Sequence, residues 1–378
     1  MRADAASGRP AAEAGPVFAP RDLEPGHARL VTVEERPFNA ETPLAALDQP
    51  LTPVELFYVR NHFDVPRLDP AATRLTVDGR VEHALELGLD ELRRLPSRTI
   101  VTALECAGNG RTTMTPRPPG TPWGWGAVST GSFTGVPLGI VLERARPLPG
   151  AVEVAFTGAD RGEVAPGRTV AFERSLPLAV ALAPDTLLVH EMNGGALTAD
   201  HGWPLRLVVP GWYGVASVKW LTRVTVLERP LEAFYQTERY VYEGERGTPE
   251  RTPVTRMRVR SLIARPADGD DLRAGQVEIA GTAWSGGAAI REVAVTTDCG
   301  ASWGAANLDP AASPYAHVRW TFRWDATPGE HVLASRASDS SGAIQPLDAV
   351  WNVHGYGNNV VQRLRVRVSE RADRAAPG

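Results

Sequence analysis

Lysine is nearly absent from this chain. Of its 378 residues, 40 are lysine or arginine, and only Lys219 is lysine. Cysteine is almost as scarce. With only Cys106 and Cys299 there can be no disulfide scaffold and no all-cysteine zinc or iron–sulfur cluster. No run of apolar residues approaches the ~20 needed to span a bilayer, so no membrane partner is expected. An excess of positive charge is missing too. The 44 acidic residues outnumber the basic ones and leave a net charge of −4, which argues against nucleic acid as a partner. Neither a phosphate-loop nor a dinucleotide-type glycine signature is present. The opening stretch MRADAASGRPAAEAGPVFAPRD has no apolar h-region and no twin arginine, so a cytoplasmic protein is expected. At ~150 residues per domain the length suggests two domains and a substantial core.

The missing lysines have a plain explanation. Abundant Ala, Arg, Gly and Pro point to a GC-rich coding bias that replaces Lys by Arg wherever either serves. Lys219 is the position where that replacement did not occur. An ammonium is a compact point charge that a guanidinium fork does not reproduce, so Lys219 is either a chance survivor or a residue with a specific task.

Along the chain, residues 1–36 are rich in Ala, Pro and Gly and read as a flexible arm. Patterned segments begin near Pro37. Strands are expected at 74–79, 99–106, 152–157, 205–209 and 218–227. Asp90 is expected to cap a short helix that Pro96 stops, and Pro137 to open a helix at N1. That second helix buries Leu138, Val141, Leu142 and Ala145, spaced i, i+3, i+4 and i+7. This mixed α+β region extends over 37–250, and a polar connector at 243–255 marks its end. Beyond it, short alternating strands at 276–284, 291–297, 317–324 and 331–337 argue for an immunoglobulin-like sandwich over 251–372, followed by a disordered tail at 373–378. Arginine alternates with apolar residues at 256–260 and again at 363–368. Both stretches are expected to turn their arginines to solvent or to guard sheet edges.

Several clusters could carry chemistry. Glu105-Cys-Ala-Gly-Asn-Gly-Arg111 ends a buried strand with two glycines that let backbone approach a ligand. Cys106 is open to three roles: nucleophile, soft metal ligand favoured as thiolate by Arg111, or inert core thiol. Phe57-Tyr-Val-Arg-Asn-His62, Asp200-His-Gly-Trp-Pro-Leu-Arg206 and Ser217-Val-Lys219 add Arg, His and Lys. Each histidine is a ligand or a satisfied core residue. Together the clusters suit an anionic, phosphate-bearing cofactor and a small anionic substrate. Thr296-Thr-Asp298-Cys-Gly300-Ala-Ser302-Trp303 has the pattern of an Asp-box hairpin. It is expected to be a turn held by Asp298 with Trp303 packed over it, and Cys299 within it has no catalytic task.

These motifs, in this order, carry a resemblance. Pro37-Phe-Asn-Ala-Glu41, Leu51-Thr-Pro, Phe57 to His62, Cys106-Ala-Gly-Asn, Glu191-Met-Asn-Gly194, Asp200-His-Gly, Ser217-Val-Lys-Trp220, Ala283-Trp-Ser-Gly286 and Trp351-Asn352 resemble the sulfite oxidase family of molybdenum enzymes. The likeness runs from about 30 to 370 and is to haem-free, bacterial or plant-type members. It implies an α+β fold in which a mixed α/β molybdopterin-binding domain is followed by an immunoglobulin-like dimerisation domain, in a homodimer.

The resemblance further implies that Cys106 is the protein ligand to molybdenum beside two dithiolene sulfurs. Phe38, Asn39, Tyr58, Val59, Arg60, Asn61, His62, Asp160, His201, Arg206, Ser217, Val218 and Lys219 would hold the pterin and its phosphate. Arg60, Arg111, Trp123 and Tyr240 would line the anion pocket. The implied reaction is oxidation of sulfite to sulfate by oxo transfer from Mo(VI), with two electrons leaving to an external acceptor, a cytochrome or oxygen. No Cys-x-x-Cys-His is present and the length leaves no room for a flavin domain, so neither haem nor flavin is expected. Reduction of nitrate or a sulfoxide at the same site is the near alternative, and a cysteine hydrolase using Cys106 and His201 the distant one. Two positions depart from the family pattern, which often carries arginine where Gly110 and Ala216 stand. Each lost guanidinium is expected to weaken dianion binding or free volume. The pocket arginine that the family takes from its second domain has only Arg319 and His317 as candidates.

Overall fold

The computed structural model describes residues 29–247 and 250–370. Most of the expected N-terminal arm and the 373–378 tail lie outside the described residues. The last part of that arm, Val31–Glu35, forms a strand antiparallel to Phe38–Glu41.

β-structure predominates, with three short α-helices, Leu89–Arg93, Leu138–Ala145 and Leu178–Ala181, among the described residues. None is long and apolar enough to cross a membrane. Two five-stranded sheets build the first region. One runs in the order Gly195–Ala196, Leu187–Met192, Val128–Pro137, Arg98–Glu105, with Arg206–Val208 also pairing with Leu187–Met192. The other runs Leu85–Gly88, Arg74–Gly79, Leu221–Leu227, Glu153–Ala165, Arg168–Pro177, and its Arg74–Gly79 and Leu221–Leu227 strands are parallel.

The helix Leu138–Ala145 follows its apolar spacing. Leu138, Val141, Leu142 and Ala145 are all fully buried, and each of the larger three contributes ~2 kcal/mol by leaving water. Pro137 is its N-cap rather than its first residue, one position from the sequence expectation, and Arg146 ends it in the left-handed conformation (φ 54°). The first helix begins two residues earlier than expected. Gly88, not Asp90, is the cap, because the Glu91 carboxylate reaches back to accept the Gly88 N–H at 2.8 Å. The strand expected at 218–227 starts at Leu221, since Trp220 adopts φ 49° and breaks the extended run.

The second region is a two-sheet sandwich, as the alternation predicted. Arg260–Arg265, Gly275–Trp284, Val318–Ala326 and Asn307–Leu308 form one sheet. Asp271–Arg273, Arg363–Ser369, Gly329–Asp339, Ile290–Thr296 and Gly304–Ala305 form the other. Ile263, Ile279, Val293, Trp320, Leu333, Leu364 and Val366 fill the space between them. The Asp-box sequence closes the hairpin between Ile290–Thr296 and Gly304–Ala305. Asp298 accepts from the Ser302 backbone at 2.9 Å and hydroxyl at 2.5 Å and from the Thr296 hydroxyl at 2.7 Å.

The main core of the first region does not stop at the connector. It takes in Leu262, Trp284 and Tyr356, so the two regions are packed as one body. Between them lies a seam rich in charge. Asp48 binds Arg265 (3.0 Å) and Arg319 (3.4 Å), His317 Nδ1 bonds the Thr130 hydroxyl (2.6 Å), and Arg260 reaches Glu105.

Candidate active site

Cys106 stands where the buried strand Arg98–Glu105 leaves its sheet. Its N–H donates to Ala127 O at 2.9 Å and its carbonyl accepts Asn109 N–H at 2.9 Å, which closes the chain into a tight loop. Burial pushes the thiol up, while Arg60, the Gly108 N–H and Arg111 act to lower it. Two cavities meet at this residue, and Arg60, His62 and Tyr240 also line both of them.

The first is a crevice of about 640 Å³. Tyr58, Asp160, Asp200, His201, Arg206, Ser217 and Lys219 line it; Asp160 lies within the strand Glu153–Ala165, Arg206 opens the strand Arg206–Val208, and the others come from segments between strands. Arg206 is held by the carbonyls of His201 (2.9 Å) and Ser217 (3.2 Å) and has no carboxylate partner among the described residues. Burial pulls it to about 10. Lys219 donates to Asp200 O at 2.7 Å and to the Asn61 side-chain oxygen, and sits 4.3 Å from the Trp220 ring centroid. Burial and then Arg206 lower its affinity for its proton. Asp160 is buried, its Oδ1 has no hydrogen-bond partner among the described residues, and burial raises it to about 6 against the pull of Lys219. His201 is pushed to about 3 by burial and by Lys219, so its ring is neutral at pH 7. The ring bonds the Val54 backbone and packs edge-on to Phe57, with no hydrogen bond to Cys106.

The second cavity is a funnel of about 920 Å³. Arg60, Arg111, Trp123 and Tyr240, the four residues expected in the anion pocket, all line it. Arg111 is fixed by donation from Nε to His354 O (3.0 Å) and from Nη1 to Thr121 O (2.6 Å), and lies 5.4 Å from the Tyr356 ring centroid. Tyr240 shares a 2.6 Å hydrogen bond with His62 Nε2 and stacks on Tyr356. Burial holds the phenol well above its ordinary range and His62 well below its own, so both are neutral. Tyr240 has φ 55°, a conformation rarely adopted by a bulky residue and concentrated at functional sites.

The other expected cofactor residues sit one layer behind these walls. Asn39 is fully buried and its Oδ1 accepts from Asn61 N–H (2.7 Å) and Arg60 Nη1 (3.3 Å). Phe38 offers its carbonyl to the Asn61 side chain (3.1 Å). Val59 exchanges both backbone hydrogen bonds with Ala40, and Val218 is buried with its carbonyl on Leu207 N–H.

The structure corrects the expectation for the second region's share of the pocket. Arg319 and His317 do not line the funnel; they are engaged in the seam by Asp48, Asp309 and Thr130. The second region contributes His354 and Tyr356 instead, beside Arg239 from the connector side. Gly355 and Gly357 flank Tyr356 at φ 63°, and this Gly-Tyr-Gly turn just after Trp351-Asn352 was the available sequence signal. Gly110 and Ala216 are not among the residues lining either cavity, and a Cβ on Gly110 would point towards Arg260 and Asn358.

Chemically, the crevice gathers two guanidinium groups and an ammonium around a carboxylate with one oxygen left without a hydrogen bond among the described residues, which suits a phosphate-bearing ligand with ring N–H groups. Among the described residues no group of three or more His, Cys, Asp and Glu could hold a metal ion. A metal at Cys106 therefore needs further ligands from a non-protein group, and a dithiolene is matched in softness to a lone thiolate.

Two family models divide the chain. The oxidoreductase molybdopterin binding domain matches residues 62–235, and the Mo-co oxidoreductase dimerisation domain matches 251–369. The chain is 36% identical to mitochondrial sulfite oxidase of Homo sapiens over 368 residues, covering 91% of this chain but 66% of that protein. It is 32% identical to sulfite oxidase of Arabidopsis thaliana over 377 residues, covering 91% of this chain and 95% of that one. Among solved structures, the sulfane dehydrogenase SoxCD of Paracoccus pantotrophus superposes with a TM-score of 0.80 at 30% identity, covering 90% of this chain and 88% of that one. The chain belongs to the sulfite oxidase family of molybdopterin-binding oxidoreductases.

Proposed function

We propose that this protein is a homodimeric molybdopterin enzyme that oxidises sulfite to sulfate. The overall change takes sulfite and water to sulfate, two protons and two electrons, and the electrons pass to an external acceptor. The observation that carries this reading is the meeting of the cationic crevice and the arginine-lined funnel at the single thiol Cys106, with Arg60 belonging to both. When bound, the molybdenum cofactor supplies the transferable oxygen and the two-electron redox change.

The protein's own part is binding and placement. Arg206 and Lys219 would hold the cofactor phosphate, Asp160 would accept from a pterin N–H, and Cys106 would supply the soft ligand. Arg60 and Arg111 would draw a small dianion to the funnel base. Their carbonyl hydrogen bonds keep the charges in place before substrate arrives, so no reorganisation is needed at the moment of reaction. The neutral Tyr240 adds a hydroxyl without adding charge. A thiol raised by burial, and a His201 that bonds Val54 rather than Cys106, speak against a cysteine hydrolase.

The test is molybdenum and pterin analysis followed by steady-state turnover with sulfite and an artificial acceptor. Stoichiometric metal with sulfite turnover is expected, and loaded protein that fails to oxidise sulfite sinks the substrate assignment. Cys106→Ser should abolish turnover while leaving the fold intact; activity within a few-fold of wild type contradicts thiolate ligation. Size-exclusion chromatography should give twice the chain mass.

A further inference from the structure

Two glycines of the Cys106 loop each make room for a guanidinium. A Cβ on Gly108 would stand 2.7 Å from Nη2 of Arg111, and a Cβ on Gly110 would stand 2.7 Å from Nη2 of Arg260. Arg111 belongs to the same loop, whereas Arg260 arrives from the sandwich, at the start of the strand Arg260–Arg265. Its side chain is 1% exposed. Nη1 donates to Glu105 Oε1 at 2.7 Å and to Asn109 O at 3.3 Å. The guanidinium carbon lies 5.1 Å from the Trp125 ring centroid. The second Glu105 oxygen accepts from Trp284 Nε1 at 2.9 Å, and Asn109 Nδ2 bonds Oε1 at 3.1 Å. Asn109 Oδ1 in turn accepts the N–H of Ala127 at 3.2 Å, and the Ala127 carbonyl receives the Cys106 N–H. Cys106 is thus gripped on both sides by groups that Arg260 touches.

Docking two regions does not require such an arrangement. The seam already has the Asp48 carboxylate paired with Arg319 and with the partly exposed Arg265, so charge pairing between the regions does not depend on Arg260. Arg260 is fully buried, and its Nε and Nη2 have no hydrogen-bond partner among the described residues. An arginine in that state costs several kcal/mol of desolvation that one carboxylate only partly offsets.

We propose that Arg260 is a positioning residue for the Cys106 thiolate, and that Gly110 and Arg260 are a linked pair in which the sandwich supplies the guanidinium at a place that glycine leaves open. Arg260 orients Glu105 and Asn109, and these set the direction in which Cys106 Sγ faces the two cavities. At position 110 the family pattern has arginine; here a positive group occupies the same neighbourhood from 150 residues further along the chain. The glycine and the buried arginine are two halves of one substitution.

The thiolate role rests on the function proposed above; the pairing of 110 with 260 does not, so separate readouts test them. Thermal midpoints of Gly110→Ala, Arg260→Gly and the double variant form a cycle that needs no cofactor. An alanine at 110 carries the penalty of φ 81° in either background and the collision with Nη2 only when arginine is present. The drop caused by Gly110→Ala is therefore expected to shrink by at least half in the Arg260→Gly background, and equal drops in both overturn the pairing. In the molybdenum-loaded fraction, Arg260→Lys keeps the charge but loses the planar fork. It should shift the thiolate-to-metal charge-transfer absorption per bound metal. Arg265→Ala, which breaks a seam ion pair outside the Cys106 loop, should leave that absorption as in wild type. An Arg260→Lys spectrum identical to wild type, or an equal shift in Arg265→Ala, overturns the positioning role. Wild-type protein without molybdenum would take down the functional reading and the thiolate role together, with the thermal cycle alone deciding the pairing.

Discussion

Residues 256–260 and 363–367 carry the same alternation of arginine with apolar residues, yet the fold uses them in opposite ways. In the strand Arg363–Ser369, Arg363, Arg365 and Arg367 are exposed while Leu364, Val366 and Val368 enter the sandwich core, as period-two alternation requires. In the earlier stretch Met257 and Val259 are buried, but so is Arg260, and Arg258 is partly covered and paired with Glu245. Arg363–Ser369 lies inside its sheet, between Asp271–Arg273 and Gly329–Asp339, and that sheet turns its outer face to water. The strand that follows the connector lies against the first region, so both of its faces are covered, and its arginines persist only where a carboxylate or carbonyl meets them. Alternation reports which residues share a face; it does not report what covers that face.

The sharpest way to break this contrast is to remove the buried charge. Arg260→Met keeps much of the volume but leaves the buried Glu105 side chain short of its main partner. Its expected cost is ~3–5 kcal/mol, read as a lowered urea midpoint. A midpoint within ~0.5 kcal/mol of wild type would place Arg260 with the surface arginines.

Acid probes the same seam through a base. Burial, with Arg319 adding, lowers His317 to about 4, whereas a free imidazole titrates near ~6.5. The unfolded chain therefore takes up its proton before the folded one does. Stability is complete above the unfolded value and declines as pH falls from ~6.5 towards 4, by about 2 kcal/mol between pH 7 and pH 5. His317→Gln, which can still bond Thr130, should show a flatter profile in urea titrations at the two pH values, and an unchanged slope would remove His317 from the account.

Lys219 extends the contrast to a cation that faces a ligand. Lys219→Arg conserves charge, but the fork cannot make the compact contacts to Asn61 and Asp200 O together. Pterin retention should fall about tenfold, equivalent to ~1.4 kcal/mol. Equal pterin content in the two proteins would mark the lone lysine as a chance survivor. The smallest effect belongs to the exposed strand, where Arg365→Gln should change the urea midpoint by no more than ~0.5 kcal/mol.

Much of the site was legible because its chemistry sits in short contiguous segments. Phe57 to His62, Cys106 to Arg111 and Ser217 to Lys219 each bring several wall residues within one loop, and loops at strand ends have to converge somewhere. The residues that escaped notice come from elsewhere. Phe172 and Tyr235 pack against His62, Arg174 lies 6.0 Å from the Tyr240 ring centroid, and His354 and Tyr356 close the funnel from the sandwich. Each lies in a segment whose local pattern is that of an ordinary strand or turn. The same reason misplaced Arg319 and His317, which stand near the seam in sequence context but face Asp48 and Thr130.

What the amino-acid sequence determined by itself was local and periodic: the buried strand that ends at Cys106, the apolar stripe of Leu138–Ala145, the alternating strands of the sandwich and the survival of one lysine at a loop of specific chemistry. These follow from spacing, propensity and residue type, which act within a few residues. The tertiary structure alone decided how charge is distributed between the two regions. It made a glycine at 110 the counterpart of an arginine at 260, because a buried guanidinium is stable only where a carboxylate and an empty space come together, and residues far apart in the chain supply them.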